Sequence, residues 1–144
     1  MARYFTLQQA QAELPHVEES LRQAISLKTS LEEAEQELRS ESERIRLTGG
    51  ALVHREKLVA VIRRRESIAS QLRSALAAIE ERGCVVKDLG IGLLDFPTRF
   101  RGEEVYLCWK LGEPAIAFWH GVNEGFRGRK PIDQDFLDNH EGDA

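Results

Sequence analysis

Apolar residues recur every three or four positions through the first half of the chain, which is the spacing of one face of an α-helix. The first stripe predicts a helix that ends at about residue 47, where Gly49-Gly50 can supply the left-handed closing conformation. The second stripe predicts a helix over about residues 51–82, ended by Gly83. Because the connection is short, we expect an antiparallel helical hairpin over about residues 6–82.

The ends and faces of these helices carry further signals. Thr6 and Gln9 have the spacing of a capping box, and Pro15 is expected to end a short first helix and begin a longer one. The second stripe is broader than the first, which indicates contact with more than one neighbour. Either the sheet that follows or a second copy of the chain, in a coiled-coil-like homodimer, is expected to cover it.

After Gly83 the apolar residues follow the two-residue period of β-strands. Residues 105–111 are predicted to form a strand with different side chains on its two faces. One face carries Val105, Leu107, Trp109 and Leu111, and the other carries Tyr106, Cys108 and Lys110. A turn at residues 112–114 leads to a second strand at residues 116–120. Residues 85–96 are predicted to form a third strand, with Gly90 and Gly92 on the same face.

These elements together predict an α+β fold, in which a long antiparallel helical hairpin is followed by a small three-stranded antiparallel sheet. We expect a single domain over residues 1–132, with the sheet and its loops at about residues 84–132. The remaining residues, 133–144, form an acidic tail that is expected to be frayed.

Composition and charge narrow the classes of function. The 144 residues are 42% hydrophobic and 31% charged, with a net charge of -4. An acidic balance argues against a nucleic-acid partner, because neutralising phosphates requires a basic surface. The sequence lacks the roughly 18-residue apolar run of a membrane span and the core of a signal peptide, so we expect a cytoplasmic protein with no membrane partner. Cys84 and Cys108 have neither a CxxC spacing nor a disulfide framework, and reduced, buried thiols are expected.

The ends of the predicted strands and the adjacent turns carry Asp95, Glu113, His120 and Glu124. One imidazole and several carboxylates could hold a divalent metal ion and activate its bound water, or act as a general acid–base pair without a metal. Their spacing matches no established ligand motif. The structural alternative is that Asp95 and Glu113 pair with nearby arginines while His120 hydrogen-bonds to the backbone.

A second candidate is the loop over residues 125–130, which places Arg127 and Arg129 beside flexible glycines. Guanidinium groups and backbone N–H groups in such a loop can bind a carboxylate or a phosphate. Internal ion pairing with the acids named above is the structural alternative for this loop.

Several segments carry a resemblance to one known family. They are Phe5-Thr6, Leu14-Pro15, Gly92-Leu93-Leu94-Asp95-Phe96-Pro97, the run VYLCWKLGE at residues 105–113, Trp119-His120, and the run GFRGR at residues 125–129. With these segments the chain resembles, over nearly its whole length, the prokaryotic domain-of-unknown-function family 2203. The resemblance implies no activity, because the family has none assigned. Gly121 departs from the family pattern, in which a carboxylate often follows the Trp-His pair, and this weakens any site that needs a ligand there.

The leading hypothesis is a non-enzymatic interaction module or small-ligand-binding module whose helical hairpin self-associates into a homodimer. It follows from the broad second stripe and from the lack of a complete catalytic motif in the sequence. The alternative is a metal-dependent, hydrolase-like enzyme with a site built from Asp95, Glu113, His120 and Glu124. A divalent metal is the cofactor that this alternative requires.

Overall fold

The computed structural model describes residues 3–49 and 52–144, and the predicted turn residue Gly50 and helix start Ala51 lie outside them. Two long helices precede an antiparallel sheet, so the predicted α+β fold class is confirmed. In chain order the elements are α1 (Leu7–Thr48), α2 (Leu52–Glu81), β1 (Val85–Asp88), β2 (Leu93–Phe100), β3 (Glu103–Lys110), β4 (Phe118–Gly121), a 3-10 turn (Phe126–Gly128), β5 (Lys130–Pro131), α3 (Gln134–Asn139) and β6 (His140–Glu141).

The chain forms two compact units. One consists of Met1–Arg22 with Leu76–Ala144, and it contains the sheet, the first turns of α1 and the end of α2. The other, Gln23–Ala75, contains the remaining parts of α1 and α2 and is called the hairpin arm below. Among the helices of the described residues, none is both long enough and apolar enough to cross a membrane.

The start of α1 follows the predicted capping box. The Gln9 N–H donates to the Thr6 hydroxyl at 3.1 Å, and the Thr6 N–H donates to the Gln9 side-chain oxygen at 2.9 Å. The prediction that Pro15 separates two helices is wrong, since Pro15 lies inside a continuous α1. Proline removes one backbone hydrogen bond, but the burial of Leu14 and Val17 on either side holds this turn against the core.

Within the residues that the structure describes, the sheet has six strands, where three were predicted. Its order is β1-β2-β3-β4-β5, and β6 pairs with β2. The predicted single strand at residues 85–96 is instead a β-hairpin, because a turn that contains Gly90 and Gly92 separates β1 from β2. Gly92 has a φ of 70°, a left-handed conformation that an extended strand cannot contain.

Gly92 is expected to tolerate alanine poorly. A Cβ atom there would lie 2.6 Å from the Leu111 Cβ and would also require a non-glycine residue at positive φ. We expect Gly92→Ala to lower the free energy of unfolding by about 2–4 kcal/mol, the sum of backbone strain and overpacking. Gly102→Ala is the control, because Gly102 has a φ of 82° but open space around its Cα. Equal losses in urea unfolding of the two variants would contradict the role assigned to Leu111.

The acidic segment at residues 133–144 does not match the expected frayed tail. It forms α3 and β6, and β6 pairs with β2 through Arg99↔Glu141 and Phe100↔His140. Phe136 is 1% exposed, and its ring stacks on Phe100 at 4.9 Å between ring centroids. One buried aromatic ring and a strand pairing therefore hold a segment whose composition is otherwise that of a solvated tail.

The two faces of the sheet differ in chemistry, as the alternation in β3 predicted. On one face Leu94, Phe96, Leu107 and Trp109 are buried, and the Phe5 ring meets Phe96 edge to face at 5.3 Å. The opposite face carries Asp95, Cys108 and Tyr106, with His120 of β4 on the same side. This polar face positions the candidate site.

Candidate functional site

Strand register brings three chemically distinct side chains together on the polar face. Asp95 on β2 lies opposite Cys108 on β3, and His120 on β4 lies opposite Tyr106 on β3. The strands β2 and β4 flank β3, so the side chains of Asp95 and His120 meet above it. Ligating atoms of Asp95, Cys108 and His120 all lie within 4.8 Å of one another. We call these three residues the Asp-Cys-His cluster.

The Asp95–His120 contact is the centre of this cluster. The Nε2 atom of His120 lies 2.9 Å from the Asp95 Oδ1, and its Nδ1 lies 2.8 Å from the backbone oxygen of Gly121. Both side chains are 1% exposed. Polar groups buried to this degree are costly unless each is paired, so this contact fixes the local arrangement of β2 and β4.

The thiol of Cys108 is protonated in this environment. Burial, and then the negative charge of Asp95, raise its pKa to about 12, although the nearby Arg129 guanidinium acts in the opposite direction. Burial and the Asp95 charge also raise the pKa of Cys84. Both cysteines are free and buried. Neither thiol has the thiolate character that a nucleophilic cysteine needs.

The geometry of His120 also argues against a cysteine-based catalytic triad. In such a triad one ring nitrogen faces the thiol and the other faces the acid. Here the two ring nitrogens face Asp95 and a backbone carbonyl, which leaves none for Cys108. The cluster is therefore suited to sharing a proton or holding a cation, and nucleophilic attack by Cys108 does not fit it.

Glu113 is one of the four residues predicted to form a metal site. In the structure its side chain makes a different set of contacts. Its side chain accepts from the Lys110 N–H at 2.6 Å and from Arg129 at 2.9 Å. Its backbone oxygen accepts from the indole N–H of Trp109 at 3.0 Å. These bonds close the turn after β3, so the carboxylate is engaged as the structural alternative expected.

Glu124 also lies apart from the cluster. It accepts from the Gly121 N–H at 2.7 Å and from the Lys130 ammonium at 2.5 Å. Hydrogen bonds from Lys130 and from the Gly121 N–H hold its pKa below the ordinary value. A Cβ atom at Gly121 would lie 2.7 Å from the Glu124 Oε1. The Glu124 carboxylate therefore occupies the space that a side chain at residue 121 would need. The structure thus brings together only Asp95 and His120 of the four predicted residues.

The two arginines of the predicted anion site have different surroundings. The Arg129 guanidinium lies between the rings of Phe118 and Phe126, at 4.1 and 4.3 Å from their centroids, and pairs with Glu113. Burial lowers the pKa of Arg129, but the hydrogen bond and charge of Glu113 outweigh this and raise it. Arg127 is exposed in the 3-10 turn. The loop therefore does not present its arginines as a matched pair.

A separate pocket of about 340 Å³ opens on the polar face near Tyr106. Its lining residues are Arg3, Glu80, Gly83, Cys84, Val85, Pro97, Glu104 and Tyr106. The Glu104 carboxylate already accepts from the hydroxyl groups of Tyr4 at 2.7 Å and Tyr106 at 3.0 Å. Arg3 donates to the Arg82 backbone oxygen at 3.1 Å. Much of the polar capacity of this pocket is thus used internally.

Cys108 is the member of the cluster that sequence reasoning missed. The alternation within β3 does place Cys108 on the face opposite Leu107 and Trp109, so its side of the sheet was available from the sequence. What was missing was the register that sets Asp95 opposite Cys108 and brings His120 across β3. A one-residue shift of either pairing would have moved these side chains to opposite faces.

Comparison with known proteins gives a family and no assigned activity. No curated protein and no solved structure gives a significant match to this chain. A family model with the description "Uncharacterized conserved protein (DUF2203)" matches residues 3–132. That match covers most of the chain, so the chain belongs to this domain-of-unknown-function family, as its sequence segments indicated.

Proposed function

We propose that this protein is a non-enzymatic interaction module that self-associates through its hairpin arm. The observation that carries the proposal is the poor burial of apolar side chains in the arm. Among its described residues the buried apolar side chains are Ala24, Ala34, Val61 and Ala75, three of them alanines. Larger apolar side chains on both helices stay partly exposed, among them Leu27, Leu31, Leu38, Ile62, Ile68 and Leu72.

Two helices can cover only one side of each apolar stripe. Four-helix bundles bury such stripes fully, because each helix then contacts two neighbours. A second hairpin arm would supply the two missing helices. Each large aliphatic side chain that becomes fully buried contributes about 1.5–3 kcal/mol relative to full exposure. Completing the burial of several of them on both copies therefore favours a dimer.

Charge favours a second copy of the same arm as the partner. Residues 23–48 of α1 carry six acidic and four basic side chains, a net charge of -2. Residues 52–75 of α2 carry two acidic and six basic side chains, a net charge of +4. A two-fold arrangement would place α1 of each copy against α2 of the other, so that opposite charges meet at both contacts.

Part of this charge is already used within the arm. Arg64 pairs with Glu37 between the two helices. Within the described residues, neither Arg63 nor Glu33 takes part in an ion pair, and both are exposed. They are among the charges available to a second copy.

The geometry supports this function better than the alternative of a metal-dependent, hydrolase-like enzyme. That enzyme needs Asp95, Glu113, His120 and Glu124 in one open site, but Glu113 and Glu124 make internal contacts elsewhere. Asp95 and His120 are in contact but only 1% exposed, which argues against access by a substrate. A small-ligand role at the pocket near Tyr106 is also less well supported, because Glu104 is already bonded to two tyrosines.

Light scattering coupled to size-exclusion chromatography tests self-association directly. The wild-type protein at micromolar concentration is expected to have twice the 16.3 kDa mass of one chain. Ile68→Glu places a charge on the half-buried stripe and is expected to shift the mass to that of one chain. Ser67→Glu adds the same charge at the exposed neighbouring position and should leave the dimer intact.

Far-UV circular dichroism of both variants shows whether the helices still form, so a loss of mass can be separated from unfolding of the arm. A wild-type mass of one chain would refute the proposal. Equal dissociation of the Ile68→Glu and Ser67→Glu proteins, with helicity retained, would show that the stripe is not the interface.

A further inference from the structure

One buried oxygen atom in the Asp-Cys-His cluster lacks a partner. The Oδ1 atom of Asp95 contacts His120, but within the described residues no donor forms a hydrogen bond with its Oδ2. The side chain is 1% exposed. Leaving a buried acceptor unpaired is unfavourable, and more so when the group is charged. This oxygen therefore indicates a ligand that the protein side chains do not supply.

The ring of His120 is oriented as metal-binding histidines are. A backbone carbonyl can only accept, so the Nδ1 atom that faces the Gly121 oxygen at 2.8 Å must carry hydrogen. The Nε2 atom lies 2.9 Å from the Asp95 Oδ1, so one proton lies between them, and loss of that proton leaves a lone pair on Nε2 that points into the cluster. Donation from the second ring nitrogen to a backbone carbonyl is the usual support for a histidine whose other nitrogen binds a metal.

Cys108 completes a mixed set of donors. Its residue is fully buried, and its Sγ lies within 4.8 Å of the ligating atoms of the other two residues. Zinc ligands lie about 2.0–2.3 Å from the ion in a tetrahedral arrangement, so two of them are about 3.3–3.8 Å apart. Small side-chain movements are enough to bring the three donors to these distances.

We propose that Asp95, Cys108 and His120 bind a divalent transition-metal ion of the zinc class. A thiolate and an imidazole select zinc and its neighbours over magnesium and calcium, which prefer sets of oxygen ligands. The ion would replace both the proton between His120 and Asp95 and the thiol proton of Cys108, which leave to solvent, and it would engage the unpaired Oδ2. Because it would join β2, β3 and β4 in a buried position, we expect its role to be structural.

This site differs from the metal site predicted from the sequence. It keeps Asp95 and His120, replaces Glu113 and Glu124 with Cys108, and lies in the sheet at the centre of the polar face. It does not depend on self-association, since all three ligands come from one copy and none lies in the hairpin arm. The competing explanation is an internal imidazolium–carboxylate pair with no metal, in which the Cys108 thiol keeps its proton beside Asp95 and Arg129.

Cobalt(II) separates these two explanations, because it occupies zinc sites and gives a strong near-ultraviolet charge-transfer band only when a thiolate is a ligand. Metal-free wild-type protein titrated with Co²⁺ is expected to develop this band with one equivalent bound, and Zn²⁺ is expected to abolish it. Cys108→Ser should bind without the band. Cys84→Ser is the matched control, since Cys84 is also a buried free thiol but is not one of the three clustered donors, and it should retain the band.

The wild-type titration is decisive even if the Cys108→Ser protein fails to fold. Stoichiometric binding without a charge-transfer band, or no saturable binding, would overturn the proposal. A band that survives in Cys108→Ser and disappears in Cys84→Ser would also overturn it, by assigning the thiolate to Cys84. Elemental analysis of protein purified without added metal is an independent readout, with about one zinc-class ion per chain expected.

Discussion

Replacing Phe136 with alanine is expected to lower the free energy of unfolding by about 3–5 kcal/mol, the usual cost of deleting a buried aromatic ring. The Phe136 ring is 1% exposed and lies 4.9 Å from Phe100 and 5.0 Å from Trp119, between ring centroids. Deleting it removes both stacking contacts and leaves a cavity that three neighbouring elements cannot easily fill. Urea unfolding followed by far-UV circular dichroism measures this loss.

The effect of this substitution should reach the start of α1. The Phe136 ring also stacks on His140 at 5.1 Å, and the Nε2 of His140 accepts from the Leu7 N–H at 3.0 Å. Loss of the ring therefore loosens a side chain that satisfies one of the free N–H groups of a helix start. Amide hydrogen exchange at Leu7 should accelerate in Phe136→Ala more than at the middle of β3.

Leu137→Ala is the matched control for Phe136→Ala. Leu137 is the next residue of α3, but it is 39% exposed, so its truncation should change the free energy of unfolding by no more than about 0.5–1 kcal/mol. Comparable losses from the two substitutions would mean that α3 contributes through its helical structure alone. A small loss from Phe136→Ala would mean that the tail is indeed frayed, as its composition suggested.

The helices and the main strands could be predicted because local patterns dictate them. The apolar spacing of α1 and α2 and the alternation within β3 depend on residues close together in sequence. The same reasoning failed at Pro15, where burial of the neighbouring residues outweighs the local preference of proline. It failed again at Gly92, whose positive φ requires a turn that apolar content alone did not reveal.

The C-terminal segment and the Asp-Cys-His cluster could not be predicted for a different reason. Both depend on pairing between strands far apart in sequence. The segment is held by one ring and by pairing of β6 with β2. The cluster exists only because one register sets Asp95 opposite Cys108 and a second sets His120 opposite Tyr106. The sequence identified Asp95 and His120 as polar residues at the ends of predicted strands. It grouped them with Glu113 and Glu124, whose carboxylates bind turn residues in the structure.

Replacing Asp95 with alanine is expected to cost about 3–5 kcal/mol of stability in metal-free protein, because breaking a buried pair leaves its other member unpaired. His120 would keep its bond to the Gly121 oxygen, but its Nε2 would lose the contact at 2.9 Å in a setting that is 1% exposed. Urea unfolding with a metal chelator present measures this quantity without any contribution from a bound ion.

Asp95→Asn separates charge from hydrogen bonding in the same position. Since Nδ1 of His120 carries a hydrogen, a neutral ring offers the lone pair of Nε2 to the amide of an asparagine. Asp95→Asn should therefore cost less than Asp95→Ala, and the difference is the contribution of the hydrogen bond. If Asp95→Asn is as damaging as Asp95→Ala, the native pair is held by charge, with His120 as an imidazolium. Removing one partner of a stabilising buried pair leaves an uncompensated buried group. If Asp95→Ala lowers the free energy of unfolding by less than about 1 kcal/mol, the pair therefore contributes little to the stability of the metal-free fold.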